Sequence, residues 1–417
     1  MVWKREETDT SKNLNEKGGM TLSLQQPYTP KDKSFWQITL SLTLASFFIF
    51  ASMYAVQPLF PVYVEEFNIS ISAASLSLSL TITGLIVGLI VLGFFSDRHG
   101  RTSFIKASVA GATIPFLIIP WTDSFFLLIC LRFIQGVALA GLPAAALAYL
   151  HEEIDSGSVH VATALYISSN ALGGMVGRVM AGTMTDFFSW HTYFYMLGGL
   201  GTVMFLLMLR LLPTSRFFES SELSFRHDLH GFSYHLRNPR LLLIFGLGII
   251  FQTSFTGVWT YLPFHLQEAP FFLSLASISL FYFAYGLGVV GSPLAGWLAG
   301  HFPLSSVRLT GILVLCIGIS LMLFDAVWII SIGLALLCLG FFTAHSLTAS
   351  SIGDLVTHHK GSASSLYLVS YYIGVVTGSS MLGPLYNSQG WPGLMIFLAL
   401  LPLIYIVIVR STVKIGN

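Results

Sequence analysis

Two guanidiniums and one imidazole stand where so apolar a chain has little reason to carry them. Arg132 and Arg178 fall inside long uncharged stretches, and His345 falls inside another. A guanidinium held away from water needs carboxylates, carbonyls or an incoming anion. A neutral imidazole there can titrate as water reaches or leaves it. Around them lie Gln135, Asn170, Gln252, Tyr367 and Tyr371, polar groups able to line an amphipathic cavity. Each has an equally physical packing explanation. The arginines can hold backbone carbonyls, or Asp186 in the case of Arg178; His345 can bond Ser346 or a neighbouring helix; Tyr367 and Tyr371, spaced i, i+4, can be helix–helix glue.

A second polar group is a loop, Gly93-Phe-Phe-Ser-Asp97-Arg98-His-Gly100-Arg101. Gly93 allows two helix ends to approach and Gly100 allows a tight turn. Asp97 can accept from a helix N-terminus, and Arg98 and Arg101 can pair with acids or lipid phosphates. No nucleophile–base pair, metal cluster or nucleotide loop appears, so an enzyme is not expected. The three cysteines, Cys130, Cys316 and Cys338, lie in apolar runs and suit neither disulfides nor zinc.

The elements that must carry these groups are membrane helices. Hydrophobic residues make up 54% of the 417 and charged residues 9%, with mean hydropathy +0.76. A water-soluble domain carries about a quarter charged residues. Runs of about 20 apolar residues cross a bilayer, and twelve such spans fit. They fall near 34–63, 72–95, 103–121, 125–150, 160–187 and 192–212, then 241–267, 273–300, 306–324, 327–352, 362–386 and 393–409. Residues 1–33 form a polar cytoplasmic tail, 34–212 and 241–410 two six-helix bundles, 213–240 a polar cytoplasmic linker and 411–417 a cytoplasmic C-terminus. The fold class is therefore all-α and integral to the membrane.

Basic residues fix the expected orientation. Eighteen of the 20 Lys and Arg lie in the tail, the even-numbered connections or the C-terminus, and the other two are Arg132 and Arg178. By the positive-inside rule both termini face the cytoplasm. Trp121, Trp190, Trp328 and Trp391 then fall at outer ends, the expected place for interfacial anchors.

The halves also repeat. Leu-Pro, Glu and Ala-Ser at 262–263, 268 and 276–277 follow Phe60-Pro61, Glu66 and Ala74-Ser75 at an offset of 202. Leu366-Tyr367, Gly374 and Gly378 follow Leu165-Tyr166, Gly173 and Gly177 at 201. Parallel duplication implies bundles related by an axis along the membrane normal, with a site between them. Gly93 has a counterpart in Gly296, whereas the position of Asp97 holds Gly300.

The loop from Gly93 to Arg101 resembles the G-x-x-x-D-R-x-G-R loop between helices two and three of the major facilitator superfamily. Arg132-Phe-Ile-Gln135-Gly136 is similar to its R-x-x-Q-G motif. Leu165 to Arg178, Ala344-His345-Ser346 and Ser364 to Tyr372 resemble the bacterial YnfM-type branch. The resemblance implies two pseudo-symmetric bundles in the bacterial inner membrane. It makes Gly93, Asp97, Arg98, Gly100 and Arg101 a conformational latch. It also implies alternating access with a proton gradient and no bound cofactor. Proton-coupled efflux of a small organic solute is the expected activity. Uptake or facilitated diffusion, and a transporter-like receptor, are the alternatives. The expected partners are a small-molecule solute and the lipid bilayer, without nucleic acid, and of the oligomeric states left open a monomer is the expected one. Span five has Met175-Val176-Gly177-Arg178 where the antiporter G-P-x-x-G-G pattern would place a proline, and span one lacks a mid-membrane carboxylate.

Overall fold

A computed structural model describes residues 26–218, 220, 225–356, 358 and 360–415, the side chains of 225–230, 353, 354, 360 and 409–415 excepted. Most of the expected tail, and the linker around Ser221, lie outside these residues.

The helices follow the sequence closely, and their irregularities follow its prolines and glycines. α1 (Lys33–Tyr54) stops before Pro58, which has no amide to offer the preceding turn. A 3₁₀ turn, Gln57–Leu59, leads into α2 (Phe60–Phe67), and together these make span one. Asn68 closes it in the left-handed conformation at φ 54°. α3 (Ile71–His99) is capped by Ser70, which accepts from the Ala73 amide at 3.1 Å. Gly100, at φ 95°, turns the chain into α4 (Arg101–Ile118). α5 (Phe125–Leu139) and α6 (Gly141–Glu153) form span four. α7 (Val159–Phe187) and α8 (Trp190–Leu211) complete the first bundle.

The linker, expected only as a polar connection, contains a helix, α9 (Phe225–Leu236), which packs on the second bundle. α10 (Pro239–Gln267) is span seven. α11 (Leu275–Leu280), a 3₁₀ segment Phe281–Tyr285 and α12 (Gly286–Ala299) make span eight. α13 (Leu304–Leu321) and α14 (Val327–Leu355) follow. α15 (Lys360–Val376) runs through a π turn, Thr377–Met381, into α16 (Gly383–Ile415). Gly390, at φ 65°, divides span eleven from span twelve inside α16.

Ten of these helical stretches are long and apolar enough to cross a membrane on their own. α7 and α15, the fifth spans of the two halves, complete the twelve. Both pack against their own bundle and across to the other, α7 on α11 and α15 on α3.

The repeat is visible in the packing. A Cβ on Gly173 would meet the Phe47 carbonyl at 2.2 Å, and one on Gly374 would meet the Ile249 carbonyl at 2.5 Å. A Cβ on Gly177 would strike Ala51 at 2.6 Å, and one on Gly378 would strike Thr253 at 2.6 Å. The struck residues are themselves 202 apart, so the two bundles use one helix-crossing design.

Two of the four expected tryptophan anchors are not anchors. Trp121 and Trp328 are 80% and 67% exposed, as interfacial rings should be. Trp190 and Trp391 are 2% and 4% exposed. Trp190 packs edge-on to Tyr63 and donates to Glu66. Trp391 stacks on His265 at 4.4 Å and donates to the Met322 carbonyl at 2.8 Å. Tyr63 and His265 are repeat equivalents, so position in the sequence marked an interface where the repeat placed a packing element.

Candidate functional site between the bundles

The Arg132 side chain is fully buried inside the first bundle. Its Nε donates to the Ser77 carbonyl at 3.3 Å, and Nη1 and Nη2 donate to the carbonyls of Ser52 and Met53 at 3.1 and 2.8 Å. Those last two carbonyls sit where the α1 ladder ends. Arg132 also bonds Gln135, whose amide donates to the Ala112 carbonyl at 2.5 Å. A Cβ on Gly136 would meet the Thr81 carbonyl at 1.9 Å. Arg132, Gln135 and Gly136 thus tie α1, α3, α4 and α5 together. The structure does not bring Arg132 or Gln135 to Arg178.

Arg178 lies between the bundles. Its Nε donates to Gln57 Oε1 at 2.7 Å, and Nη1 to its own helix at the Gly174 carbonyl, 2.8 Å. The guanidinium sits 3.9 Å over the ring of Tyr54 from span one and 4.6 Å over Tyr285 from span eight. Tyr282 is 5.5 Å away. Gln57 reaches on to Thr260 of span seven at 3.5 Å. Among the described residues no carboxylate pairs with Arg178. Asp186, one proposed partner, instead lines a pocket with Glu66 and His191 at the end opposite the Asp97 loop.

His345 is half-buried on α14, and its Nδ1 lies 2.9 Å from the Tyr367 hydroxyl. It stacks between Phe341 at 5.4 Å and Tyr367 at 5.6 Å, with Tyr371 at 4.9 Å. Tyr371 faces Tyr54 across the bundle interface. Phe341 stacks on Phe255 at 4.0 Å, and Phe255 lies 5.3 Å from Tyr285. Arg178 and His345 are therefore joined by two aromatic routes, one through Tyr54 and Tyr371, the other through Tyr285, Phe255 and Phe341.

Asn170 accepts from Ser46 within the first bundle. Gln252 donates to Thr256 at 2.9 Å, while its buried carbonyl oxygen has no partner among the described residues. Neither touches Arg178. Sequence reading missed Tyr54, Gln57, Tyr282 and Tyr285. The available signal was the aromatic run Phe281-Tyr-Phe-Ala-Tyr285 and a glutamine next to Pro58 inside a span. Both sit at the helical breaks of spans one and eight that flank Arg178.

In the loop, Arg101 pairs with Asp97 and with Glu152 at 2.9 Å. Arg98 donates to the Phe94 carbonyl at 2.7 Å and lies over the Phe94 ring. Gly93 and Gly100 have open space where a Cβ would go. Among the described residues Asp97 is thus held by Arg101 of its own bundle, beside Glu152, and not by the start of span eleven. Next to it, the buried carboxylate of Glu153 accepts from the side chain of Arg216 at 3.2 Å, and Arg216 lies 3.5 Å over the Tyr28 ring.

Hydrogen bonds between the bundles gather at the end opposite that loop. Ser75 and Ser79 of α3 bond Ser380 and Ser379 at 3.1 and 2.7 Å. Thr183 of α7 reaches Ser279 of α11 at 3.5 Å. A Cβ on Gly383 would lie 1.7 Å from Ser72 Oγ, and one on Gly182 would lie 2.5 Å from Ser279. The bundles are closed there by small residues.

The sequence matches the Major Facilitator Superfamily over residues 42–287 and 269–414. The chain belongs to that superfamily. It is 33% identical over 382 residues to a transporter of Buchnera aphidicola subsp. Schizaphis graminum, spanning 92% of each chain. It is 34% identical over 374 residues to the inner membrane transport protein YnfM of Escherichia coli K12, spanning 90% of each. A bacterial homologue of the human lysosomal transporter Spinster, solved inward-facing and unoccupied, superposes with TM-score 0.76 at 13% identity, covering 90% of this chain and 95% of that one. Membership makes this a transporter fold and not an enzyme.

Proposed function

We propose that this transporter exports a small organic solute from the cytoplasm by alternating access, driven by inward proton flow. Arg178 carries the reading: a buried cation without a carboxylate among the described residues, contacted by side chains of both bundles. Such a group is costly in a membrane protein unless a ligand or the protein answers it. Its partners change whenever the bundles rock, so cargo binding and conformation are coupled there. The bodies that rock are residues 34–212 and 241–410. The Asp97 end is cytoplasmic, in the inner membrane, because the basic residues gather there. Closure at the opposite end makes this the form from which an exporter loads cargo on the cytoplasmic side. His345 is the proton carrier, tied to the cavity through Tyr367 and Tyr371.

Transport of a solute panel by proteoliposomes, with and without a pH gradient, tests this. Gradient-dependent movement is expected. Gradient-independent movement would make the protein a facilitated carrier, and binding without movement a receptor. Cysteines at Ser189 or Ser388 should react with impermeant reagent in intact cells, and one near Ser221 only after the membrane is opened.

A further inference from the structure

The duplicated fold supplies its own control for the chemistry at Arg178. By the 201 offset, Arg178 is equivalent to Ser379, and by the 202 offset Tyr282 and Tyr285 are equivalent to Leu80 and Thr83. At the α3–α15 interface the inter-bundle hydrogen bonds are made by serines. Ser79, Ser379 and Ser380 satisfy one another at 2.5 to 2.7 Å, and Ser379 also donates to the Val375 carbonyl at 2.7 Å. Closing two bundles therefore needs only hydroxyls and glycines. The α7 interface with span eight has such contacts too, Thr183 and Gly182 at Ser279, and carries in addition a guanidinium and two tyrosines, backed by Trp259 of span seven, none of which closure requires.

These extra groups are donors, and their bonding is incomplete. Tyr282 and Trp259 are fully buried and stacked at 4.7 Å. Neither the Tyr282 hydroxyl nor Trp259 Nε1 has a hydrogen-bond partner among the described residues. A buried donor left unmade is costly. Tyr282 flanks the Arg178 guanidinium, and Tyr285, which Arg178 covers, lies 4.9 Å from Trp259. The Arg178 cation and the two rings that carry these unmade donors thus pack together, where no carboxylate among the described residues pairs with the cation. Its walls are flat: Tyr54, Tyr285, and then Phe255 and Phe341 leading towards His345.

We infer that Trp259 and Tyr282 are specificity-determining donors of the Arg178 site, and that the cargo class is an aromatic carboxylate. The carboxylate takes Nη2 of Arg178, the guanidinium nitrogen that neither Gln57 nor Gly174 engages. The indole N–H and phenol O–H complete its shell. The aromatic body lies along the ring wall, where edge and face contacts favour another ring. This rests on the reading of Arg178 as the cargo anchor.

Benzoate, benzamide and cyclohexanecarboxylate are the probes, titrated into the purified full chain by calorimetry. Benzoate should bind more tightly than both others: benzamide lacks the charge and cyclohexanecarboxylate the flat ring. Trp259→Phe and Tyr282→Phe keep their rings and lose one donor each. Each should weaken benzoate about 10-fold or more, as loss of a hydrogen bond to a charged group does, while leaving benzamide unchanged. Ligand-free melting temperatures identify any variant that fails to fold, and the other variant then decides. Unchanged benzoate affinity in a folded Trp259→Phe and a folded Tyr282→Phe overturns the donor assignment. Equal binding of benzamide and benzoate, or no benzoate binding, overturns the cargo class. Failure here alongside gradient-driven movement of another solute would sink this inference and leave export standing; absence of any movement in the proteoliposome panel would sink export itself.

Discussion

Arg132 and Arg178 differ in what their guanidiniums are given to bind. Arg132 answers three backbone carbonyls on α1 and α3 and one glutamine on its own helix. Arg132→Leu strips those carbonyls of donors and should cost at least about 3 kcal/mol. A drop in melting temperature of the purified variant, with little folded protein recovered, is the expected result; wild-type melting would show that the carbonyls find other donors. His345 is different, because its hydrogen bond is to a side chain, the Tyr367 hydroxyl, and not to backbone. His345→Gln keeps a polar side chain of similar reach and removes the titrating ring. It should retain solute exchange between equal pools and lose accumulation driven by a pH gradient. Full gradient-driven accumulation in that variant would leave the proton with an edge acid such as Asp186, or with the cargo.

At the scale of helices, glycine decides two separate contacts. Gly173, Gly177, Gly374 and Gly378 let α7 and α15 lie against α1 and α10 inside each bundle. Gly182 and Gly383 instead meet serines of the opposite bundle. Substitution in the second pair should therefore spare folding and shift conformation. In Gly383→Val the side chain occupies the place of Ser72 Oγ, so the closed end should open. A reporter cysteine at Ser79, buried in the closed form, should then react several-fold faster with an impermeant maleimide in intact cells. An unchanged reaction rate would mean that α3 and α15 separate elsewhere. The breaks in spans one and eight belong to this scale too. At the break in span one, Arg132 donates to the Ser52 and Met53 carbonyls, as a membrane helix requires when its ladder fails.

For the whole molecule, the Asp97 loop reports on one of two states. Here Arg101 draws Asp97 and Glu152 together within the first bundle. In the alternating access proposed above, closing the bundles at this end would bring Asp97 within reach of the start of span eleven, whose amides favour an anion. Asp97→Asn should thus slow transport while leaving insertion and ligand affinity near wild type. Wild-type transport rates in Asp97→Asn vesicles would remove the loop from the cycle.

Much of this architecture was legible in the chain. Membrane helices follow from length and hydropathy because an apolar run of about 20 residues satisfies its own backbone in lipid as a helix, whereas a barrel strand is about half as long. The duplicated bundle follows from spacings near 202, because equal sequence repeats fold into equal crossings. The conspicuous charges, Arg132, Arg178 and His345, stood out because burying them in lipid is costly. What one-dimensional spacing does not encode is which partners reach a buried charge. Arg132 and Arg178 look alike along their helices, and only the packing gives one a ring of carbonyls and the other a ring of tyrosines. Trp190 and Trp391 look like interfacial anchors, and only the crossing of spans one and six, and of seven and twelve, buries them. Tyr54 is far in the chain from Tyr282 and Tyr285, and all three are unremarkable as apolar-span residues. They become a site because two bundles meet there, a relation between surfaces that no single helix carries.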